Sequence, residues 1–184
     1  MLDAYFRETP LSGVGVVLAL LAATFFAALA VRRGWAAPLR VWLYAAALGS
    51  YVAVTMVPGA FEEGWRWRSP LGLHVDAPLW DAFVAGTDSR SLNVWIGVPL
   101  GAAAVLLALD LRRSWPALVV LVVPWVAEWW QAVMPTARDG LSGEDLGDNL
   151  YGIAVGAVLG LLLHVALVWA ERRWGSNAAE SNDV

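Results

Sequence analysis

Residues 150–170 read LYGIAVGAVLGLLLHVALVWA, a run of 21 residues without a single Asp, Glu, Lys or Arg. A helix of this length rises about 1.5 Å per residue and crosses the roughly 30 Å hydrocarbon core of a bilayer. Four more runs of similar length precede it in the chain. They are Leu11–Val31, Leu39–Val57, Leu92–Leu109 and Ala117–Met134. The sequence therefore predicts an all-α fold, a polytopic membrane helix bundle with five transmembrane helices.

The composition supports a membrane protein and excludes several other classes. Of the 184 residues, 59% are hydrophobic and 15% are charged, and the mean hydropathy is +0.60, which is too apolar for an ordinary soluble domain. The chain has no cysteine, so disulfides, thiolate metal sites and cysteine nucleophiles are excluded. A net charge of −4 and the lack of a basic stripe interleaved with aromatics indicate no nucleic-acid partner.

The domain organisation follows from where the apolar runs end. Residues 1–173 are predicted to form a single transmembrane domain. Residues 174–184 are rich in Ser, Asn, Glu and Gly and offer little to bury, which predicts a disordered cytoplasmic tail.

The arginines predict the orientation of the chain. Seven of the twelve flank the ends of the spans that would share one side: Arg32, Arg33, Arg40, Arg112, Arg113, Arg172 and Arg173. The other five, on the opposite side, are Arg7, Arg66, Arg68, Arg90 and Arg138. Because basic residues near short loops favour the cytoplasm, we expect the amino terminus outside and the carboxyl terminus inside the cell.

Two spans carry stripes of small residues with an amide at the outer end. Asn93, Gly97 and Gly101 are four residues apart in the third span, and Asn149 precedes Gly152, Gly156 and Gly160 in the fifth. Such spacings place residues on one helix face. Small residues let helix backbones approach closely in lipid, so the glycines are predicted to pack helices. For the two asparagines, an interhelical hydrogen bond and a ligand contact both remain open.

The fourth span contains an acidic residue, Glu128, whose burial in a membrane is unfavourable. Glu128 and Gln131 lie three residues apart near its outer end. An ionised carboxylate costs about 3 kcal/mol at the centre of a span and less near the interface. Glu128 therefore needs a partner, a wet cavity or a proton, unless it meets lipid headgroups directly. Trp125 is the one tryptophan that lies near no span boundary, which predicts that it is buried within the bundle.

The segment between the fourth and fifth spans is dense in charge. Asp145 lies four residues before Asn149 and can cap the amino terminus of the fifth helix. Arg138 can pair with Asp145 or Glu128, or hold a phosphate through its planar fork of donors. Together with Asn93 and Gln131, these residues are predicted to meet at the outer membrane face.

These features form an ordered pattern. Thr55-Met56-Val57-Pro58 closes the second span, Asn93 and Pro99-Leu100-Gly101 occupy the third, and Glu128-Trp129-Trp130-Gln131 the fourth. The remaining motif residues are Arg138, Asp145, Asn149, Gly152 and Gly156. Over most of residues 40–160 the chain resembles the VanZ-like family of bacterial membrane proteins. It departs from the family at Gly97, where an aromatic residue is usual, and at Pro124, where a small hydroxyl residue is common.

The resemblance implies a multi-pass protein of the bacterial cell membrane and envelope, because the founding member is associated with resistance to the glycopeptide teicoplanin. The resemblance indicates which residues form the site, but it does not indicate a reaction.

One hypothesis is a binding or enzyme site for membrane lipid, specifically an anionic lipid-linked envelope precursor such as a polyprenyl phosphate derivative. Arg138 would hold the phosphate, and Glu128 or Asp145 would act as a catalytic base or bind a divalent cation. Asn93, Gln131 and Asn149 would orient the headgroup. Metal, cofactor and reaction stay open. The alternative is a non-catalytic membrane scaffold or partner-binding subunit, in which the same polar residues are structural; assembly into an oligomer is also left open.

Overall fold

A computed structural model describes residues 10–34, 37–56, 89–133 and 143–180. Within these ranges the chain forms five α-helices and no strand. They are α1 (Pro10–Arg33), α2 (Pro38–Met56), α3 (Ser89–Leu111), α4 (Trp115–Val133) and α5 (Gly143–Glu180). The predicted all-α helix bundle is confirmed.

Each predicted span corresponds to one helix. The first four agree closely with the prediction, although Val57 and Met134 lie outside the described residues. Helix α5 is longer than its apolar run and has 38 residues. It begins at Gly143 with Glu144 and Asp145 in its first turn, where acidic side chains favour a helix amino terminus.

Helix α5 also continues through residues 174–180, which the sequence assigns to a disordered tail. This stretch contains no proline, and it ends in Ala178, Ala179 and Glu180, which are good helix formers. Residues 181–184 of the predicted tail lie outside the described ranges.

Four helices are long and apolar enough to cross a membrane: α1, α2, α3 and α5. Helix α4 has a comparable length of 19 residues, but it contains Pro124, Glu128 and Gln131. Its crossing of the membrane stays a prediction.

Helix α3 is the centre of the bundle. It packs against α2, α4 and α5, and α4 also contacts α2 and α5. Among the described residues α1 packs only on α2, where Gly49 lets Ala19 approach; a Cβ on Gly49 would lie 2.6 Å from the Ala19 Cβ. The core of α2 to α5 includes Tyr51, Leu100 and Ile153.

The closest packing joins α3 to α5 through the predicted glycine stripes. A Cβ on Gly152 would collide with the Val94 carbonyl, and a Cβ on Gly156 with the Val98 carbonyl. A Cβ on Gly160 would lie 2.6 Å from the Ala102 carbonyl oxygen. The contacts recur every four residues on both helices with increasing residue number, so α3 and α5 run parallel. The glycines act in helix packing, as the sequence predicts.

The prediction that Trp125 is buried within the bundle is wrong. Its side chain is 55% exposed on the outer face of α4 instead of buried within the bundle. Residues that share this face, such as Leu121, Val122 and Trp129, are exposed as well. The face that turns inward carries Val120, Ala127 and Glu128 instead. Helix α4 is therefore rotated about its axis so that Glu128 faces the interior of the bundle and Trp125 faces outward.

We expect Gly152→Ala to destabilise the bundle although alanine favours a helix by about 0.5–1 kcal/mol over glycine. The added Cβ would push α5 away from Val94, and overpacking of this kind costs about 1–3 kcal/mol. The free energy of unfolding in detergent with increasing dodecyl sulfate measures the effect. Ala154→Leu, on the exposed face of the same helix, is the control and should change stability by less than about 0.5 kcal/mol. Equal effects of the two substitutions would contradict the close backbone contact.

Candidate functional site

Polar side chains gather at one end of the bundle, where α2 and α4 end and α3 and α5 begin. We call the following nine residues the polar cluster: Tyr51, Thr55, Arg90, Asn93, Glu128, Gln131, Asp145, Asp148 and Asn149. Six of them are buried, including Glu128 at 2%, Asn149 at 2% and Asp148 at 0% exposure. Buried polar groups need partners, and most of these partners come from neighbouring helices.

An ion pair joins α3 to α5 within the polar cluster. Arg90 donates from Nε to Asp148 Oδ2 at 2.8 Å and from Nη2 to Asp148 Oδ1 at 3.0 Å. The two residues are 58 positions apart, the same offset as Val94 and Gly152. The ion pair therefore continues the register of the glycine contacts by one helical turn. Two parallel hydrogen bonds from one guanidinium fix its orientation as well as its position.

A second contact between α3 and α5 involves the residues singled out from the sequence. Asn93 Nδ2 donates to Asp145 Oδ1 at 2.7 Å, and Asn149 Nδ2 donates to the Asp145 carbonyl oxygen at 2.8 Å. Asp145 lies in the first turn of α5, as predicted, and its carboxylate also binds the neighbouring helix. An interhelical hydrogen bond thus holds Asn93.

Helix α4 satisfies the last carbonyl groups of α2, which have no partner within their own helix. Gln131 Nε2 donates to the Thr55 carbonyl oxygen at 2.6 Å, and Trp130 Nε1 donates to that of Met56 at 2.9 Å. The Thr55 hydroxyl donates to the Tyr51 carbonyl oxygen at 2.8 Å. These bonds fix the end of α4 against the end of α2 and place Glu128 one turn deeper in the bundle.

Tyr51 lies on α2, one turn before Thr55, whose hydroxyl donates to the Tyr51 carbonyl oxygen. It is completely buried on α2 and within electrostatic range of the carboxylates of Glu128 and Asp145. Helices α2 and α5 make no packing contact in the described part of the chain. Its hydroxyl has no hydrogen-bond partner among the described residues.

Asn149 has a similar unsatisfied group. Its Oδ1 atom is buried and accepts no hydrogen bond from the described residues, although its Nδ2 is bonded to the Asp145 carbonyl. A buried polar atom without a partner costs about 1–3 kcal/mol. Within the polar cluster, the Tyr51 hydroxyl and Asn149 Oδ1 are thus two buried polar atoms without a hydrogen-bond partner in the described part of the chain.

Five of the six predicted site residues come together at this end of the bundle: Asn93, Glu128, Gln131, Asp145 and Asn149. Arg138, the sixth, lies outside the described residues. In the described part of the chain, no group of three or more His, Asp or Glu side chains is placed to hold a metal ion. The arrangement can bind a polar group by hydrogen bonds and charge.

The sequence reasoning missed Tyr51, Arg90 and Asp148. Asp148 lies four residues before Gly152 and so extends the glycine stripe of α5 by one turn, a spacing that could have identified it. Arg90 likewise lies four residues before Val94. No comparable spacing singles out Tyr51, because a single tyrosine in an apolar span is compatible with several different roles.

The opposite end of the bundle carries a more exposed ion pair. Arg40 Nη1 donates to Asp110 Oδ1 at 2.9 Å, and the Ala37 backbone N–H donates to Asp110 Oδ2 at 2.7 Å. The two charged side chains are 20% and 21% exposed. This pair joins the start of α2 to the end of α3 and offers a comparison for the buried pair of Arg90 and Asp148.

No protein-family model, curated protein or solved structure matches this chain. The VanZ-like resemblance rests on the motifs alone and stays a prediction.

We expect Asp148→Asn to lower the free energy of unfolding by about 3 kcal/mol, because it leaves the Arg90 charge without its buried counterion. Asp110→Asn is the matched control at the opposite end, where solvent exposure should limit the loss to about 1 kcal/mol or less. Unfolding by dodecyl sulfate in detergent measures both. Replacing both partners, in the variant Arg90→Met with Asp148→Leu, should cost less than Asp148→Asn alone. A small loss for Asp148→Asn, equal to that of the control, would contradict a buried ion pair.

Proposed function

We propose that this protein is a multi-pass protein of the bacterial cell membrane that binds the headgroup of a lipid-linked envelope molecule in the polar cluster. The apolar helices support a membrane location. The motif resemblance to VanZ-like proteins supports a role in the cell envelope, with a link to glycopeptide resistance as its expected phenotype.

One observation carries the proposal. The Tyr51 hydroxyl and Asn149 Oδ1 are both buried without a hydrogen-bond partner in the described structure. The other amides of the cluster, on Asn93 and Gln131, are bonded across helices. If the cluster served only to hold helices together, two such groups at its centre would weaken it. A bound headgroup would satisfy both.

The position of the cluster also suits a lipid headgroup. It lies at the ends of α2 and α4 and the beginnings of α3 and α5, where the polar part of a lipid would meet the protein. Glu128 and Asp145 would act on the headgroup as acid, base or cation ligands, with Asn93, Gln131 and Asn149 orienting it. Arg138, which lies outside the described residues, would hold the phosphate.

A structural function is the second candidate, and the interhelical bonds favour it. The contacts of Asp148 with Arg90, of Asp145 with Asn93 and of Gln131 with the α2 backbone all join different helices. Under this reading the protein is a scaffold or partner-binding subunit. The two functions can coexist in one cluster, and they differ in what Tyr51 does.

Tyr51→Phe and Tyr44→Phe should therefore have opposite effects. Both tyrosines are buried on α2, but the Tyr44 hydroxyl donates to the Pro116 carbonyl at 3.2 Å. We expect Tyr44→Phe to lose about 1 kcal/mol of stability and to keep any copurified lipid. Tyr51→Phe should keep the stability of the delipidated protein and lose the lipid, as detected by native mass spectrometry.

Loss of stability without loss of lipid in Tyr51→Phe would favour the structural function. Glu128→Gln extends the test, because it preserves the shape of the side chain and removes its charge. Retention of both lipid and resistance phenotype by Glu128→Gln and Tyr51→Phe would refute the headgroup site.

The proposed orientation places the polar cluster at the extracytoplasmic face. In the described helices the opposite end bears exposed arginines, which include Arg32, Arg33, Arg112, Arg113, Arg172 and Arg173, and such residues favour the cytoplasm.

Because the chain has no cysteine, single introduced cysteines can report this orientation without interference. We expect Ser114→Cys, in the link between α3 and α4, to react with a membrane-impermeant maleimide only after the cells are opened. Ser69→Cys, between the second and third spans, should react in intact cells. The reverse labelling pattern would place the polar cluster on the cytoplasmic side.

A further inference from the structure

Four helices begin or end together at the side of the bundle opposite the polar cluster. Asp110, near the end of α3, accepts hydrogen bonds from Ala37 and Arg40 at the start of α2. The Tyr44 hydroxyl of α2 donates to the Pro116 carbonyl oxygen at the start of α4. Helix α1 ends a few residues before α2 begins. These contacts bring the links between the helices to one level.

Helix α5 passes the same level and continues beyond it. Its glycines lie against α3 residues 58 positions earlier in the chain, as Gly160 does against Ala102. Because both helices rise equally per residue, this register places Trp169 level with Leu111, the last residue of α3. Five arginines at this level are exposed, and we call them the basic surface: Arg32, Arg33, Arg112, Arg113 and Arg172.

The charge at this end is strongly positive, although the chain as a whole carries a net charge of −4. The seven arginines that flank these helix ends are accompanied by two carboxylates, Asp110 and Glu171. Arg40 is paired with Asp110, and the Arg173 guanidinium lies 5.2 Å from the centre of the Trp169 ring. Among the residues that the structure describes, no ion pair involves the basic surface. An anionic partner can therefore approach it.

Arg112 adopts a backbone conformation that favours glycine. Its φ angle is 52°, and the following N–H, that of Arg113, donates to the Ala108 carbonyl oxygen at 3.0 Å. Helices commonly end in this way with a glycine, as α1 does at Gly34, where φ is 61°. A residue with a Cβ is disfavoured in this conformation. The exposed guanidinium of Arg112 is the group that a glycine here would lack.

Tryptophans indicate the depth of the basic surface in a membrane. Trp115 and Trp169 are exposed, and exposed tryptophans favour the boundary between the hydrocarbon core and water. Arg113 lies two residues before Trp115, and Arg172 lies three residues after Trp169, which is about 5 Å farther along α5. The headgroup layer on each side of a bilayer is about 5–8 Å thick. The arginines therefore lie at the depth of lipid phosphates.

We infer that the basic surface binds the phosphates of anionic phospholipids in the adjacent leaflet, and that Arg112 is one of the residues that hold them. A guanidinium binds phosphate oxygens through two parallel hydrogen bonds, and arginines near an anionic leaflet are attracted to it. This site lies at the opposite end of the bundle from the polar cluster. It does not depend on the proposed headgroup site.

Two lipids with identical acyl chains test the inference on the unaltered protein. Phosphatidylglycerol carries a net negative charge and phosphatidylcholine carries none. The full-length protein is delipidated in detergent and titrated with each lipid, and bound lipid is counted by native mass spectrometry. We expect phosphatidylglycerol to bind at least about fivefold more tightly, the effect of one arginine beside an anionic surface. Equal affinity for the two lipids would overturn the inference.

Arg112→Gly separates lipid binding from stability. It should weaken phosphatidylglycerol binding about fivefold and raise the dodecyl sulfate concentration at which the protein unfolds, because glycine adopts a positive φ without strain. Arg112→Lys is the matched control. It keeps the charge and the disfavoured conformation, so its phosphatidylglycerol affinity should stay within about twofold of the unaltered protein. Unchanged lipid affinity in Arg112→Gly would contradict a role for this guanidinium.

Two further measurements distinguish this surface from other anion sites. Tyr51→Phe alters the polar cluster and should leave the preference for phosphatidylglycerol unchanged; loss of the preference in that variant would place the lipid at the polar cluster and overturn the inference. Inorganic phosphate should displace phosphatidylglycerol no better than chloride at equal ionic strength. Stronger displacement by phosphate would show a site for the free anion instead of a lipid surface.

Discussion

The backbone contact between α3 and α5 is the constraint on which the polar cluster depends. Gly152, Gly156 and Gly160 let α5 lie directly on the α3 carbonyl groups in a parallel arrangement. In lipid, where the hydrophobic effect does not drive helices together, contact at this distance supplies the dispersion energy that association needs. Because backbone atoms set the register of the two helices, that register is tightly defined. One turn before the contact of Val94 with Gly152, the same register brings Arg90 opposite Asp148.

This order of causes explains why charged residues are tolerated inside the bundle. A buried ion pair is stabilising only when its geometry is good enough to offset desolvation, and the glycine contact provides that geometry. Asn93 and Asp145 benefit from the same register. Helix α4 then closes the cluster by bonding the last α2 carbonyls through Trp130 and Gln131. Removing the glycine contact would therefore disturb the polar end as well as the packing.

The sequence predicted the helices and the glycine faces because both depend on local spacing. The six predicted site residues were chosen in a similar way, as polar side chains near the ends of apolar runs, and the five that are described lie at one end of the bundle. The stripe on α5 was assigned to Asn149, three residues before Gly152, and so the ion-paired Asp148 was missed. The burial of Tyr51 and the exposure of Trp125 depend on how four helices pack together. The spacing of residues within one helix cannot predict that packing. The sequence did not predict that α5 extends beyond its apolar run. An apolar run indicates which residues are buried in a membrane, and a helix can continue past it.

The polar cluster separates into groups that hold helices and groups that do not. Arg90 and Asn93 on α3 donate to α5, and Gln131 on α4 donates to α2, so these hydrogen bonds join α3 to α5 and α4 to α2. The Tyr51 hydroxyl adds nothing to this network among the described residues. Phenylalanine would fill the same volume without burying an unsatisfied hydroxyl, which costs about 1–3 kcal/mol. The described contacts between helices therefore give no reason for a tyrosine in place of phenylalanine at position 51.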